Sequence, residues 1–280
     1  MLLPALFGWH DLVKGQSASE SGFLAFLVGL HVGTALALLL YFREDWARII
    51  GGGVRSLVRV GRRQGPYVRT PDERLCWLLV VVTIPVGLIG VVLEHKLRTV
   101  FAKPTAAAAF LFVNGLILLG GERLRRRDEV RALATAGAEP VASALDGPSR
   151  RLDSLGYREA LVIGLFQSLA LLAGISRAGI TMVGGLVRGL DHEDAARFSF
   201  LAATPAILAA GVYKLPDLAG HLGDGIRGQV LAGSAAAALA AFVAVRLLMR
   251  WFETRTLTPF AVYCLAAGAV CTVGFGTGVF

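Results

Sequence analysis

Charge is what this chain has least of. Asp, Glu, Lys and Arg together make up 17% of its 280 residues, while 55% are hydrophobic. A water-soluble domain of that length needs more charged surface. Here the charges also gather in clusters between long apolar runs, so the reading is a polytopic membrane protein. Cysteine is scarce as well. Cys76, Cys264 and Cys271 fall within apolar runs, at spacings that offer neither a metal site nor a disulfide framework, and are read as packing residues. No basic helix with aromatic partners is present, which argues against nucleic acid as a partner. The apolar opening Met1 to Trp9 is too short for a secretory signal, and no basic residue precedes it. The net charge of +8 is mostly arginine in the loops, which points to contact with anionic membrane lipids and to a fixed orientation.

Six apolar segments are long enough to cross a bilayer: 22–42, 75–93, 104–121, 197–213, 228–249 and 258–278. The loop 43–74 carries eight Arg against four acids, and 122–158 carries eight Arg against six acids. With Arg250 and Arg255 in the short loop 250–257, three Arg-rich connections fall on one side, and that side is the cytoplasm. Both termini are then outside. Two further apolar pieces, 1–21 and 159–187, are interrupted or too short and enter from opposite faces, the mark of an inverted repeat with re-entrant segments. The expected architecture is therefore all-α, about six transmembrane helices plus two re-entrant helical segments. It forms one integral membrane domain, 1–280, made of a first repeat 1–121, a cytoplasmic loop 122–158 and a second repeat 159–280. Phe26 to Ala37 loosely echoes Phe198 to Ala209 at corresponding places in the two repeats. Segment 132–149, rich in Ala, Gly and Pro, is expected to be a mobile part of the loop.

The second interrupted piece carries the chemistry. From Gln167 to Thr181 the chain is apolar, yet Gly174, Ser176, Arg177, Gly179 and Thr181 crowd into eight residues. An Arg at membrane depth is costly and marks a functional site. Glycines that break a helix there are tolerated where the freed backbone faces protein or a wet cavity. Freed N–H groups, two hydroxyls and a guanidinium at one bend suit a phosphate. Arg177 is read as the bidentate phosphate clamp rather than a snorkelling anchor, because no acid lies between Glu159 and Asp191 to pair with it. Ser176 is a nucleophile or a phosphate ligand, and Gly174, Gly179 and Thr181 complete the socket. Gln167 is a phosphate ligand or a bridge between helices.

Other polar residues have plainer readings. Asp191 caps a helix beginning near Glu193, and His192 with its acidic neighbours is not taken as a metal site. The membrane acid-phosphatase pattern is excluded, because it needs a His seven residues after the Ser and position 183 is Val.

With these residues in view, the chain resembles the undecaprenyl pyrophosphate phosphatase family of the bacitracin-resistance type, over nearly its whole length. That family carries Pro-Gly-x-Ser-Arg-Ser-Gly-x-Thr on its second re-entrant piece. This chain has Ala173-Gly-Ile-Ser-Arg-Ala-Gly-Ile-Thr181, departing at Ala173 and Ala178. Gln167-x-Leu-Ala-Leu, Ala195-Ala-Arg-Phe-Ser-Phe-Leu, His31-Val-Gly-Thr and Leu40-Tyr-Phe also look like the family. The resemblance implies hydrolysis of undecaprenyl pyrophosphate to undecaprenyl phosphate and phosphate at the bacterial inner membrane. That reaction recycles the lipid carrier of peptidoglycan synthesis and confers bacitracin resistance. The alternative is a non-hydrolytic polyprenyl-phosphate binder or flippase; self-association as a homo-oligomer stays open.

The resemblance also implies a divalent cation, Mg or Ca, held by a Glu-x-x-x-Glu that in the family precedes a Pro-x-Ser-Ser and a His. This chain begins at a point that aligns just past that His, and it contributes no metal ligand in their place. The first repeat is thus read as N-terminally incomplete, and upstream codons are expected to encode the acids. The 280 residues alone are expected to be nearly inactive.

Overall fold

A chain that must cross lipid has to satisfy its backbone hydrogen bonds within each segment, and helices do so. The computed structural model describes residues 22–62, 66–100, 104–135, 150–219 and 227–277. The first re-entrant piece, expected over 1–21, lies outside these residues, as does 136–149. The described residues form nine α-helices: α1 (Gly22–Tyr41), α2 (Arg43–Gly61), α3 (Pro71–Val100), α4 (Pro104–Thr135), α5 (Tyr157–Ser168), α6 (Arg177–Val187), α7 (His192–Ala219), α8 (Arg227–Phe252) and α9 (Thr258–Gly276). No strand occurs among them, and the chain is an all-α membrane protein. Every expected span coincides with a helix. Five of them (α3, α4, α7, α8 and α9) contain stretches long and apolar enough to cross a membrane, and α1 supplies a shorter apolar stretch, Val28–Tyr41. The lipid-facing character is plainest in α8. There Leu231, Leu239 and Leu247 stay exposed along the helix, which lipid accepts and water would not.

Two parts of the charged connections are helical rather than loop. Residues 43–61 form α2, whose Ile49, Gly52, Gly53 and Ser56 are buried. The expected cytoplasmic loop 122–158 is likewise helical at its start, because α4 runs on to Thr135. Its Arg, Glu, Leu and Ala residues favour helix, and Glu122 accepts from Arg126 one turn on at 3.4 Å.

Without a hydrophobic drive between helices in lipid, close packing at small residues has to hold the bundle. The α4–α9 contact shows it reciprocally. A Cβ on Gly115 would stand 2.9 Å from the Ala261 carbonyl, and one on Gly268 would stand 2.4 Å from the Phe112 nitrogen. The deepest core lies around α5, α6 and α7, where Ile163, Ile180, Leu186, Phe198 and Leu201 are buried.

The charged helix ends meet in one layer. Arg197 on α7 donates to Asp45 on α2 at 2.5 Å, and Leu152 N–H donates to Asp194 at 2.8 Å. Asp191 caps α7, its Oδ1 accepting from Asp194 N–H at 2.6 Å, as its place in the sequence predicts.

Candidate active site

Helices α5 and α6 form a hairpin that leaves the charged layer and returns to it. With 12 and 11 residues, each arm is about 17 Å long, too short to span a bilayer. Its base is closed by Arg150. The guanidinium donates to both Glu159 oxygens at 2.6 and 3.1 Å, and Arg150 N–H donates to the Gly189 carbonyl at 2.9 Å. The tip, from Leu169 through a short 3₁₀ turn (Leu169–Leu171) to Ser176, therefore sits at depth.

Gly174 makes the tip. Its φ is +108°, in the region that L side chains rarely adopt, and a Cβ there would stand 2.2 Å from the Ala107 carbonyl of α4. Two residues later Ser176 is the N-cap of α6, its Oγ accepting from Gly179 N–H at 3.2 Å. This uses an Oγ lone pair and leaves the hydroxyl proton free to donate. Ser176 is exposed. The N–H groups of Arg177 and Ala178, in the first turn, have no acceptor within the helix and carry the positive end of its dipole. Gly179 is buried against Leu118.

Arg177 is half-buried, and among the described residues no carboxylate or other acceptor takes its guanidinium. Beside Ser176 opens a groove of about 500 Å³, walled by apolar side chains such as Leu111, Leu118, Met182, Phe200 and Phe260. Among the described residues no Asp or Glu lines it.

The structure brings Gly174, Ser176, Arg177 and Gly179 together at one tip. It places Gln167 and Thr181 beneath that tip, both wholly buried. The Thr181 hydroxyl faces Gln167 Oε1 at 3.5 Å, and Gln167 Nε2 has no hydrogen-bond partner among the described residues.

Asn114 belongs to the site and was not singled out from the sequence. Fully buried on α4, it accepts from Ser176 N–H at 3.1 Å and donates to Cys264 Sγ on α9 at 3.3 Å. It pins the N-cap to two neighbouring helices. A lone Asn inside an otherwise apolar span was the available signal.

Among the described residues no group of three His, Cys, Asp or Glu is placed to hold a metal. His192 is instead engaged in a buried cluster with Glu122 at 2.9 Å and with Arg125.

Comparison with known proteins shows the family. Residues 1–270 match the model of the family described as bacitracin resistance protein BacA. The chain is 54% identical to undecaprenyl-diphosphatase 2 of Frankia alni, over 98% of this chain and 90% of that protein. It is 57% identical to the undecaprenyl-diphosphatase of Mycolicibacterium paratuberculosis, over 98% and 88%, and 44% identical to undecaprenyl-diphosphatase 2 of Chromobacterium violaceum, over 96% and 88%. With the family model matched over residues 1–270 and relatives more than half identical over nearly the whole chain, this protein belongs to the bacitracin resistance protein BacA family.

Proposed function

We propose that this chain hydrolyses undecaprenyl pyrophosphate to undecaprenyl phosphate and phosphate, within the inner membrane of a bacterium, as a multi-pass protein with its Arg-rich layer in the cytoplasm. One observation carries the site assignment. Arg177 is a half-buried cation with no acceptor among the described residues, next to an exposed hydroxyl at a helix N-terminus. A fixed cation at depth is costly unless an anion completes it.

The chemistry is phosphoryl transfer. The attacking oxygen joins the terminal phosphorus, the bridging P–O bond breaks, and the lipid monophosphate leaves with the electron pair. Arg177 supplies a planar fork to the phosphoryl oxygens, and the first-turn N–H groups of α6 add donors. Ser176 either donates its free proton to a phosphoryl oxygen or attacks phosphorus itself. A phosphoserine trapped by acid quench separates the two. The apolar groove beside Ser176 suits the first prenyl units, the remainder of the tail lying along the spans. Gln167 and Thr181 support the tip from below. The family resemblance supports a divalent cation at the site, and among the described residues no group of three His, Cys, Asp or Glu is placed to hold it.

The test is phosphate release from undecaprenyl pyrophosphate, with Mg or Ca added, by purified protein that carries the family's Glu-x-x-x-Glu. Release is expected from it, and far less from these 280 residues by themselves. Tight retention of the lipid without release would overturn hydrolysis in favour of carrier binding or flipping. For the orientation, Arg127→Cys on exposed α4 should resist a membrane-impermeant maleimide in intact cells; labelling would reverse the topology.

A further inference from the structure

A second pocket, of about 530 Å³, opens at the charged layer between the α1–α2 junction, α7 and α8, away from the hairpin tip. Its walls have two characters. Tyr41, Phe42, Phe242 and Met249 make one side apolar, while Arg43, Arg48, Arg197 and Arg246 make the other basic. Three acids also line it, and two of them are engaged. Asp45 already accepts from both Arg48 and Arg197, and Glu44 faces Arg43 at 4.0 Å. Glu193 is exposed.

Arg246 is different. It lies in α8, six residues before the helix ends and so about 9 Å along the axis from it, exposed and without an acid partner among the described residues. A lone Arg on a span near its end extends toward the phosphate layer of the bilayer.

Helix α2 fixes where that layer is. It has three faces rather than two. Ile49, Gly52, Gly53 and Ser56 pack inward; Ile50, Val54 and Leu57 form an exposed apolar stripe; Arg48, Arg55 and Arg62 form an exposed basic stripe between the other two. A helix with one face on protein, one apolar and one basic lies along the membrane surface, its apolar stripe in the acyl boundary. The pocket sits at its N-terminal end, at headgroup depth.

We infer that this pocket binds the headgroup of an anionic glycerophospholipid, with the phosphate on Arg246 and Arg43 and the acyl chains running past Phe242 and the outer face of α8. The apolar wall favours a lipid over free phosphate, and the unpartnered cation favours an anionic lipid over a zwitterionic one.

The measurement is native mass spectrometry of the purified full chain, offered equal amounts of phosphatidylglycerol and phosphatidylcholine with matched acyl chains. One phosphatidylglycerol should be retained in preference. Removing one cation near a membrane surface lowers anionic-lipid affinity roughly fivefold, so Arg246→Gln should lose about that factor while Arg246→Lys keeps most of it. Arg250→Gln, one turn on and outside the pocket, controls for general attraction, and Arg246→Lys controls for folding. Equal retention of the two lipids, equal losses in Arg246→Gln and Arg250→Gln, displacement by millimolar inorganic phosphate, or stronger retention of a polyprenyl phosphate would each overturn the assignment.

Discussion

The two ends of the α5–α6 hairpin treat charge in opposite ways. At its base the charges are closed. Arg150 holds Glu159 with two hydrogen bonds, and close by in the same layer Glu122, His192 and Arg125 satisfy one another in a buried cluster. At its tip Arg177 has no acceptor among the described residues. Charges that hold the fold together are matched locally, because an unmatched buried charge costs several kcal/mol. A cation left unmatched at depth is kept for something that arrives. Variants at the base should damage stability and spare turnover, and variants at the tip should do the reverse.

The tip should show the largest effect. Arg177→Ala removes both the charge and the fork, and losing one donor to developing phosphoryl charge typically costs about 100- to 1000-fold in rate. Phosphate release should fall at least that far, with Arg177→Lys intermediate because it keeps the charge but not the planar fork. Thermal stability should hold or rise, since no contact within the fold is lost. Near-normal release in Arg177→Ala would remove the tip from the reaction.

At the base, Glu122→Gln leaves Arg125 and His192 buried without their carboxylate. Breaking a buried pair on one side costs about 3 kcal/mol or more. The variant should lose its monodisperse form at a clearly lower temperature, while the folded fraction turns over substrate within a few-fold of the parent. A large loss of turnover per folded molecule would blur the division between base and tip.

Asn114 tests the join between the two behaviours. It is a fold residue, yet its Oδ1 holds the N–H of Ser176. Asn114→Ala leaves that N–H without an acceptor and frees the N-cap to shift. About tenfold lower kcat with a smaller change in KM is expected, since displaced catalytic groups cost rate more than binding. An effect confined to stability would make Asn114 a packing residue alone.

How much of this was readable in the sequence depends on the length scale of each signal. The spans were legible because apolar runs are long and local, and α8 and α9 fall within a few residues of their expected ends. The tip was legible because Gly174, Ser176, Arg177 and Gly179 lie within six residues of one another. Helix α2 escapes a search for long apolar runs because its apolar residues recur at helical spacing without forming one. The contact between His192 and Glu122 is not legible in the sequence, because the two lie 70 residues apart on different helices. The position of Gln167 leaves a phosphate ligand and a helix bridge both open; packing places it facing Thr181 beneath the tip.

The smallest effect belongs to the Arg150–Glu159 pair that closes the hairpin. Hydrogen bonds from the Arg150 guanidinium hold the Glu159 carboxyl below its usual range; partial burial opposes them, and Gly156 N–H at 2.7 Å adds to them. A carboxyl whose folded-state pKa is depressed contributes stability that is fully present above its unfolded value, about 4.3. That contribution is lost as pH falls through the lower folded value. The pair is part-exposed, with side-chain exposures of 42% and 23%, so solvent screening limits it to about 1 kcal/mol. Glu159→Gln should therefore melt slightly below the parent at pH 7, and the gap should close as pH drops beneath the ordinary carboxylate range. It should also shrink in high salt, because the charges are partly open to water. A gap that persists unchanged in acid would mean that Glu159 acts through its backbone-facing hydrogen bond, which Gln can still accept only in part. The base of the hairpin would then be held by capping rather than by charge.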